Sequence, residues 1–175
     1  IEITDLIKIL SLSTIAGLST VIGAFVVITL KKIGKKIFGF FGGLSIGVMI
    51  VATFLGLVLP SWQSIGFLLT IFSFLTGALF MFLFDYFIPH IRFFILEKGG
   101  LNLKLFKTGI LTIIGITIHN FPEGLAIPSA YLSLPSLGLT IAIAIALHNI
   151  PEGIMVSVPL LLSGLSKTKI LFLTF

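Results

Sequence analysis

Two six-residue stretches, HNFPEG at His119–Gly124 and HNIPEG at His148–Gly153, hold most of the chemistry that this sequence can do. In each, His and Glu stand at positions i and i+4, which on a helix puts an imidazole and a carboxylate on one face about one turn apart. His119 is thereby paired with Glu123, and His148 with Glu152. Asn120 and Asn149 come one position later, roughly 100° around an ideal helix, where they face an adjacent second position. Cysteine is absent, so disulfides and thiolate metal sites are excluded. Mixed nitrogen and oxygen donors suit Zn²⁺, Fe²⁺, Mn²⁺, Co²⁺ or Cd²⁺, and ligand type alone does not rank these ions.

These donors lie in a chain that otherwise avoids polar groups. Of 175 residues, 57% are hydrophobic and 10% charged, with a mean hydropathy of +1.26. That composition belongs to an integral membrane protein. The apolar runs Ile9–Leu30, Ile37–Leu59 and Ile65–Phe84 each approach the roughly 20 residues that a helix needs to cross a bilayer. Two more, about Thr108–Tyr131 and Ser136–Ser163, contain the repeated motif, and a sixth begins near Ile170 and is cut short at Phe175. Lipid offers no hydrogen-bonding partner and the runs lack two-residue alternation, so they are read as helices. The expected fold is an all-α polytopic transmembrane bundle, a single domain over residues 1–175, with five full spans and a truncated sixth. A chain that starts with Ile and stops inside an apolar segment is expected to be a fragment.

Charge sets the orientation. All Lys and Arg residues but Lys8 fall in alternate connections: Lys31, Lys32, Lys35 and Lys36, then Arg92, Lys98, Lys104 and Lys107, then Lys167 and Lys169. The intervening connections, Pro60–Ser64 and Leu132–Pro135, have none. The positive-inside rule places the basic loops, including residues 90–107, in the cytosol and the N-terminus on the opposite side. The net charge of +5 thus reports topology and contact with anionic lipid, and nucleic acid is not an expected partner.

The topology also brings the two motifs together. Separated by about one span and a short turn, they sit on consecutive antiparallel helices, each near mid-span. An ionised residue at that depth costs about 2.5–3.5 kcal/mol on insertion scales. Neither motif-bearing span contains Lys or Arg to offset Glu123 and Glu152. A divalent cation would neutralise both, with two imidazoles and two amides completing its shell. A structural hydrogen-bond cluster is the plainer reading of one such His, but repetition of the whole pattern favours the metal. Pro122 and Pro151 remove helix hydrogen bonds, free the carbonyls of Ile118 and Leu147, and are expected to bend the helices there.

The sequences HNFPEGLA and HNIPEGI resemble the fourth and fifth helices of the ZIP (Zrt/Irt-like) divalent-metal transporters, particularly their GufA-like branch. The Gly-rich second span with GVM and the third span ending FDYFIPH follow in the family's order. The resemblance implies eight spans with both ends outside the cytosol, and zinc as the expected cargo. It implies a binuclear centre: His119, Glu123, His148 and Glu152 at the first site, and Asn120 and Asn149 sharing both carboxylates at the second. A carboxylate from the sixth helix often joins the second site in that family, and this sequence ends before it. Some members carry Asp where Asn149 stands, so the neutral amide implies a weaker or auxiliary second site. Met49, Ile141 and Ile145 fall where the resemblance suggests a hydrophobic outer gate, although ordinary packing accounts for them equally.

The expected function is movement of a divalent transition metal toward the cytosol, in a multi-pass protein of the plasma (inner) membrane that leaves room for a homodimer. Alternatives are a metal-dependent intramembrane hydrolase, whose His-Glu-x-x-His pattern is absent, and a metal-sensing or structural membrane subunit. Asp85 and His90, at the cytosolic end of the third span, are read as interfacial residues.

Overall fold

The computed structural model describes residues 2–30, 34–87 and 102–175, with Lys35 and Asp85 described in backbone only. His90, Arg92, Lys98, Lys31 and Lys32 lie outside these residues, as does most of the 90–107 connection. The described chain is helical throughout: α1 Ile3–Leu30, α2 Lys35–Thr53, α3 Leu59–Ile65, α4 Phe67–Phe87, α5 Leu103–Ser133, α6 Pro135–Leu162 and α7 Lys167–Thr174. A π-helical turn, Phe54–Val58, joins α2 to α3, so residues Lys36–Ile65 make one rod. Among the described residues five helices are long and apolar enough to cross a membrane, and α7 is a short eight-residue helix that follows the fifth. The fold is the all-α polytopic bundle that the composition requires.

Two boundaries differ from the sequence reading, each for a local reason. Pro60 does not end the second span. The N–H of Leu59 bonds back to the carbonyl of Phe54, and this widened turn accommodates Pro60 in the first turn of α3, where a missing N–H is tolerated. The chain turns instead at Gly66, whose φ of 83° is open to glycine and strained for other residues. Leu103–Lys107, placed in a connection by charge, are the first residues of α5, because the Asn102 side chain accepts a hydrogen bond from the N–H of Leu105 at 3.2 Å. Pro122 and Pro151 lie inside α5 and α6, as the span assignments expect.

The centre of the bundle is α6. The turn from α5 is a single extended residue, Leu134, followed by Pro135 at the start of α6, a position where proline's fixed φ is helical already. At its other end Gly164, with φ 91°, closes α6: its N–H bonds to Leu161 and that of Leu165 to Leu160. This is the glycine-terminated double cap that satisfies the last carbonyls. The N–H of Asn102 reaches the carbonyl of Ser163 at 2.9 Å, tying the start of α5 to the end of α6.

Packing against α6 is closest from α1. A Cβ on Gly23 would overlap the carbonyl of Ile150, and one on Gly153 would overlap that of Thr20. Hydrophobic exclusion from water is weak as a driving force inside lipid, so such close backbone approach supplies much of the attraction. Two apolar clusters form along this seam. Ala16, Ile127, Ala130, Ile141, Ala142 and Ile145 lie toward the α5–α6 turn, and Ile28, Val156, Leu160 and Ile170 toward the α6–α7 turn. The motif residues occupy the layer between them. By contrast α2 and α4 keep most of their large apolar side chains exposed.

Candidate metal centre

Antiparallel packing of α5 on α6 brings the two motifs face to face at one depth, as their spacing predicts. Nε2 of His148 lies 3.4 Å from Oε1 of Glu123 and 3.2 Å from Oε1 of Glu152. Nε2 of His119 lies 3.4 Å from the same Glu123 oxygen, and the two imidazole centroids are 6.1 Å apart. His119, His148 and Glu152 each present a donor atom within 4.8 Å of the others. Glu123, Glu152 and His148 are buried, while the His119 side chain is 47% exposed.

The donors are held but not saturated. Both Glu123 oxygens, Oε2 of Glu152, Nε2 of His148 and the amide oxygens of Asn120 and Asn149 are buried without a hydrogen-bond partner. An unmet buried polar atom costs about 1–3 kcal/mol. Those of Glu123, His148 and Glu152 lie together and make a set of acceptors and lone pairs that a small cation would satisfy, and among the described residues no Lys or Arg is bonded to them.

The two asparagines are placed differently. Nδ2 of Asn149 donates to the carbonyl of Ala16 on α1 at 2.8 Å, which fixes the amide and leaves Oδ1 as its free end. Asn120 lines a separate cavity of about 230 Å³ with Thr20, Thr117 and Thr174, on the α7 side of the motif layer. His119 and Glu123 line a cavity of about 190 Å³ on the other side, walled by Met49, Leu57, Ala126, Ile141 and Ile145. A polar cluster thus stands between two cavities, one apolar and reaching toward the α5–α6 turn, the other lined by hydroxyls and reaching toward α7. Met49, Ile141 and Ile145, singled out from the sequence, all line the first.

The structure adds Ser45. Its hydroxyl is 2.6 Å from Nδ1 of His148, and its carbonyl oxygen is 3.2 Å away. Lone serines are common in membrane helices, so the only sequence signal was a polar residue within the small-residue run GGLSIG.

A membrane-spanning helical bundle with a mid-depth His/Glu cluster between two cavities has the form expected of a protein that handles a cation within the bilayer. Residues 96–175 match the family model described as ZIP Zinc transporter. The chain is 38% identical to "Zinc transporter ZupT" of Chlorobium limicola, over 91% of this chain and 66% of that protein. It is 35% identical to "Zinc transporter ZupT" of Chlorobium chlorochromatii over 94% and 68%, and 33% identical to "Zinc transporter ZTP29" of Arabidopsis thaliana over 71% and 51%. No solved structure matches significantly. The chain belongs to the ZIP family of zinc transporters. It spans about two thirds of the length of the two bacterial relatives and half that of the plant one.

Proposed function

We propose that the protein carries a divalent transition-metal cation, zinc foremost, toward the cytosol through a site formed by His119, Glu123, His148 and Glu152. The observation that carries this reading is the set of buried, unpartnered donors on facing helices between two cavities. Glu123 stands between the two histidines, its Oε1 being 3.4 Å from both imidazoles. Two carboxylates balance the ion's charge, which removes the penalty of carrying a bare cation through hydrocarbon. Asn120 and Asn149 offer neutral oxygens on either side of the carboxylates, a weaker second position. Fe²⁺, Mn²⁺, Co²⁺ and Cd²⁺ fit the same donor chemistry.

Release needs the site to open to one cavity at a time. The separate cavities at His119 and Asn120 are the two approaches, with the apolar wall of Met49, Ile141 and Ile145 as the outer gate. The resemblance to the family supports movement of the motif helices against a scaffold that includes the second and third spans. Tight seating of α6 on α1, beside the exposed faces of α2 and α4, is consistent with such a division. The N-terminus then lies outside the cytosol in the plasma membrane, and the exposed apolar faces are available to lipid, further spans or a second copy.

Zinc uptake by proteoliposomes containing the full-length protein tests the reading. Flux that saturates with zinc is expected. Binding without flux overturns it, and hydrolysis of an added peptide or lipid substrate without flux would favour the hydrolase.

A further inference from the structure

We propose that Ser45 is a positioning residue for metal binding, which holds His148 so that Nε2 presents its lone pair to the ion. The inference rests on His148 being a ligand. Ser45 is the one buried residue in the described part of α2, 3% exposed on a helix whose other side chains face outward or are half-buried. Its hydroxyl also behaves unlike those of several other serines and threonines in the described helices. Those of Ser11, Thr29, Thr70 and Thr76 return to the carbonyl four residues earlier, the usual way to satisfy a hydroxyl in lipid. That of Ser45 instead crosses to α6 and meets Nδ1 of His148 at 2.6 Å.

The backbone carbonyl of Ser45, 3.2 Å from the same nitrogen, can only accept a hydrogen bond. Two oxygens converging on Nδ1 therefore favour a proton there. A neutral imidazole with Nδ1–H has its free lone pair on Nε2, the atom between Glu123 and Glu152. Ligating histidines commonly depend on such an outer partner for tautomer and ring orientation, and its loss typically weakens metal binding 10–100-fold. Because Ser45 is on α2 and the ligands are on α5 and α6, this contact also couples the ligand's orientation to a different helix.

The test uses the full-length protein, with Zn²⁺ as the probe. The readouts are the equilibrium Kd in detergent and the KM of uptake in proteoliposomes. S45A is expected to raise both about tenfold, with maximal flux changed less, and S45T, which restores the hydroxyl, to remain within about threefold of the parent. In an H148A background, S45A should add nothing, because the two act through one ring. An S45A protein with parental Kd, or with a lowered Tm without zinc and an unmoved Kd, would overturn the inference while leaving the ligand assignment intact. If H148A itself leaves Kd unchanged, the ligand assignment fails and this inference with it.

Discussion

The two copies of the motif share five of six residues and live in different surroundings. On α6, His148, Asn149, Glu152 and Gly153 are all buried, and each of His148 and Asn149 is tied to another helix, at Ser45 and Ala16. On α5, Glu123 is buried, but His119 is half exposed, Asn120 opens to a cavity and Gly124 faces open space. At the residue that differs, Phe121 is 66% exposed whereas Ile150 is half-buried, with its backbone carbonyl against Gly23 of α1. A repeated sequence therefore makes one enclosed copy and one accessible copy, because α6 is wrapped by α1, α2 and α5 while the motif residues that line the cavities, His119, Asn120 and Glu123, are those of α5. On the proposed reading, the enclosed copy would define the geometry and the accessible copy would admit the ion.

The largest effect should fall on residues that the copies use alike. Glu123→Ala and Glu152→Ala should each remove most zinc uptake at parental expression, since either deletion leaves one carboxylate facing a divalent charge. Unchanged flux in both variants would take the motif out of the mechanism. The glycines should then separate the halves. Gly153→Ala forces a methyl into the Thr20 carbonyl and should lower the Tm and folded yield sharply, while Gly124→Ala should leave both near parental values. Overpacking of this kind costs about 1–3 kcal/mol, and more where the obstacle is backbone. Equal melting of the two variants would refute the asymmetry.

The histidines should differ next. His148→Ala removes the nitrogen that approaches both carboxylates and should weaken the zinc Kd more than His119→Ala, which approaches one. The reverse order would make the exposed half-site the stronger. The smallest contrast concerns the amides. Asn149→Ala breaks the bond to Ala16 and should cost about 1–2 kcal/mol of stability without metal, whereas Asn120→Ala should alter zinc release with little change in Tm.

Helix number, the depth of the motifs and the pairing of His with Glu were legible in the sequence, because apolar length and i, i+4 spacing are geometric consequences of a helix in lipid. The asymmetry between the copies was not legible. HNFPEG and HNIPEG give identical local signals, and what distinguishes them is which neighbour each helix meets. Ser45 was hidden for the same reason, since its partner lies on a helix remote in sequence. The turn at Gly66 was displaced to Pro60–Ser64 because proline ordinarily marks a span end, and a π turn that accommodates it leaves no pattern in composition.

The seating of Gly153 against Thr20, with the Asn149 bond to Ala16, has a practical consequence for observing transport. The first helix is fastened by its backbone to the helix that carries the second motif, so α1 would act as an external pointer attached to the proposed site. These 175 residues contain no cysteine, so a pair of thiols introduced among them would be the only ones in this part of the protein. Spin labels near the N-terminal ends of α1 and α6 should keep one distance with and without zinc. Labels on α1 and α4, which are not fastened in this way, would report whether the carrier slides past its surroundings as the ion passes.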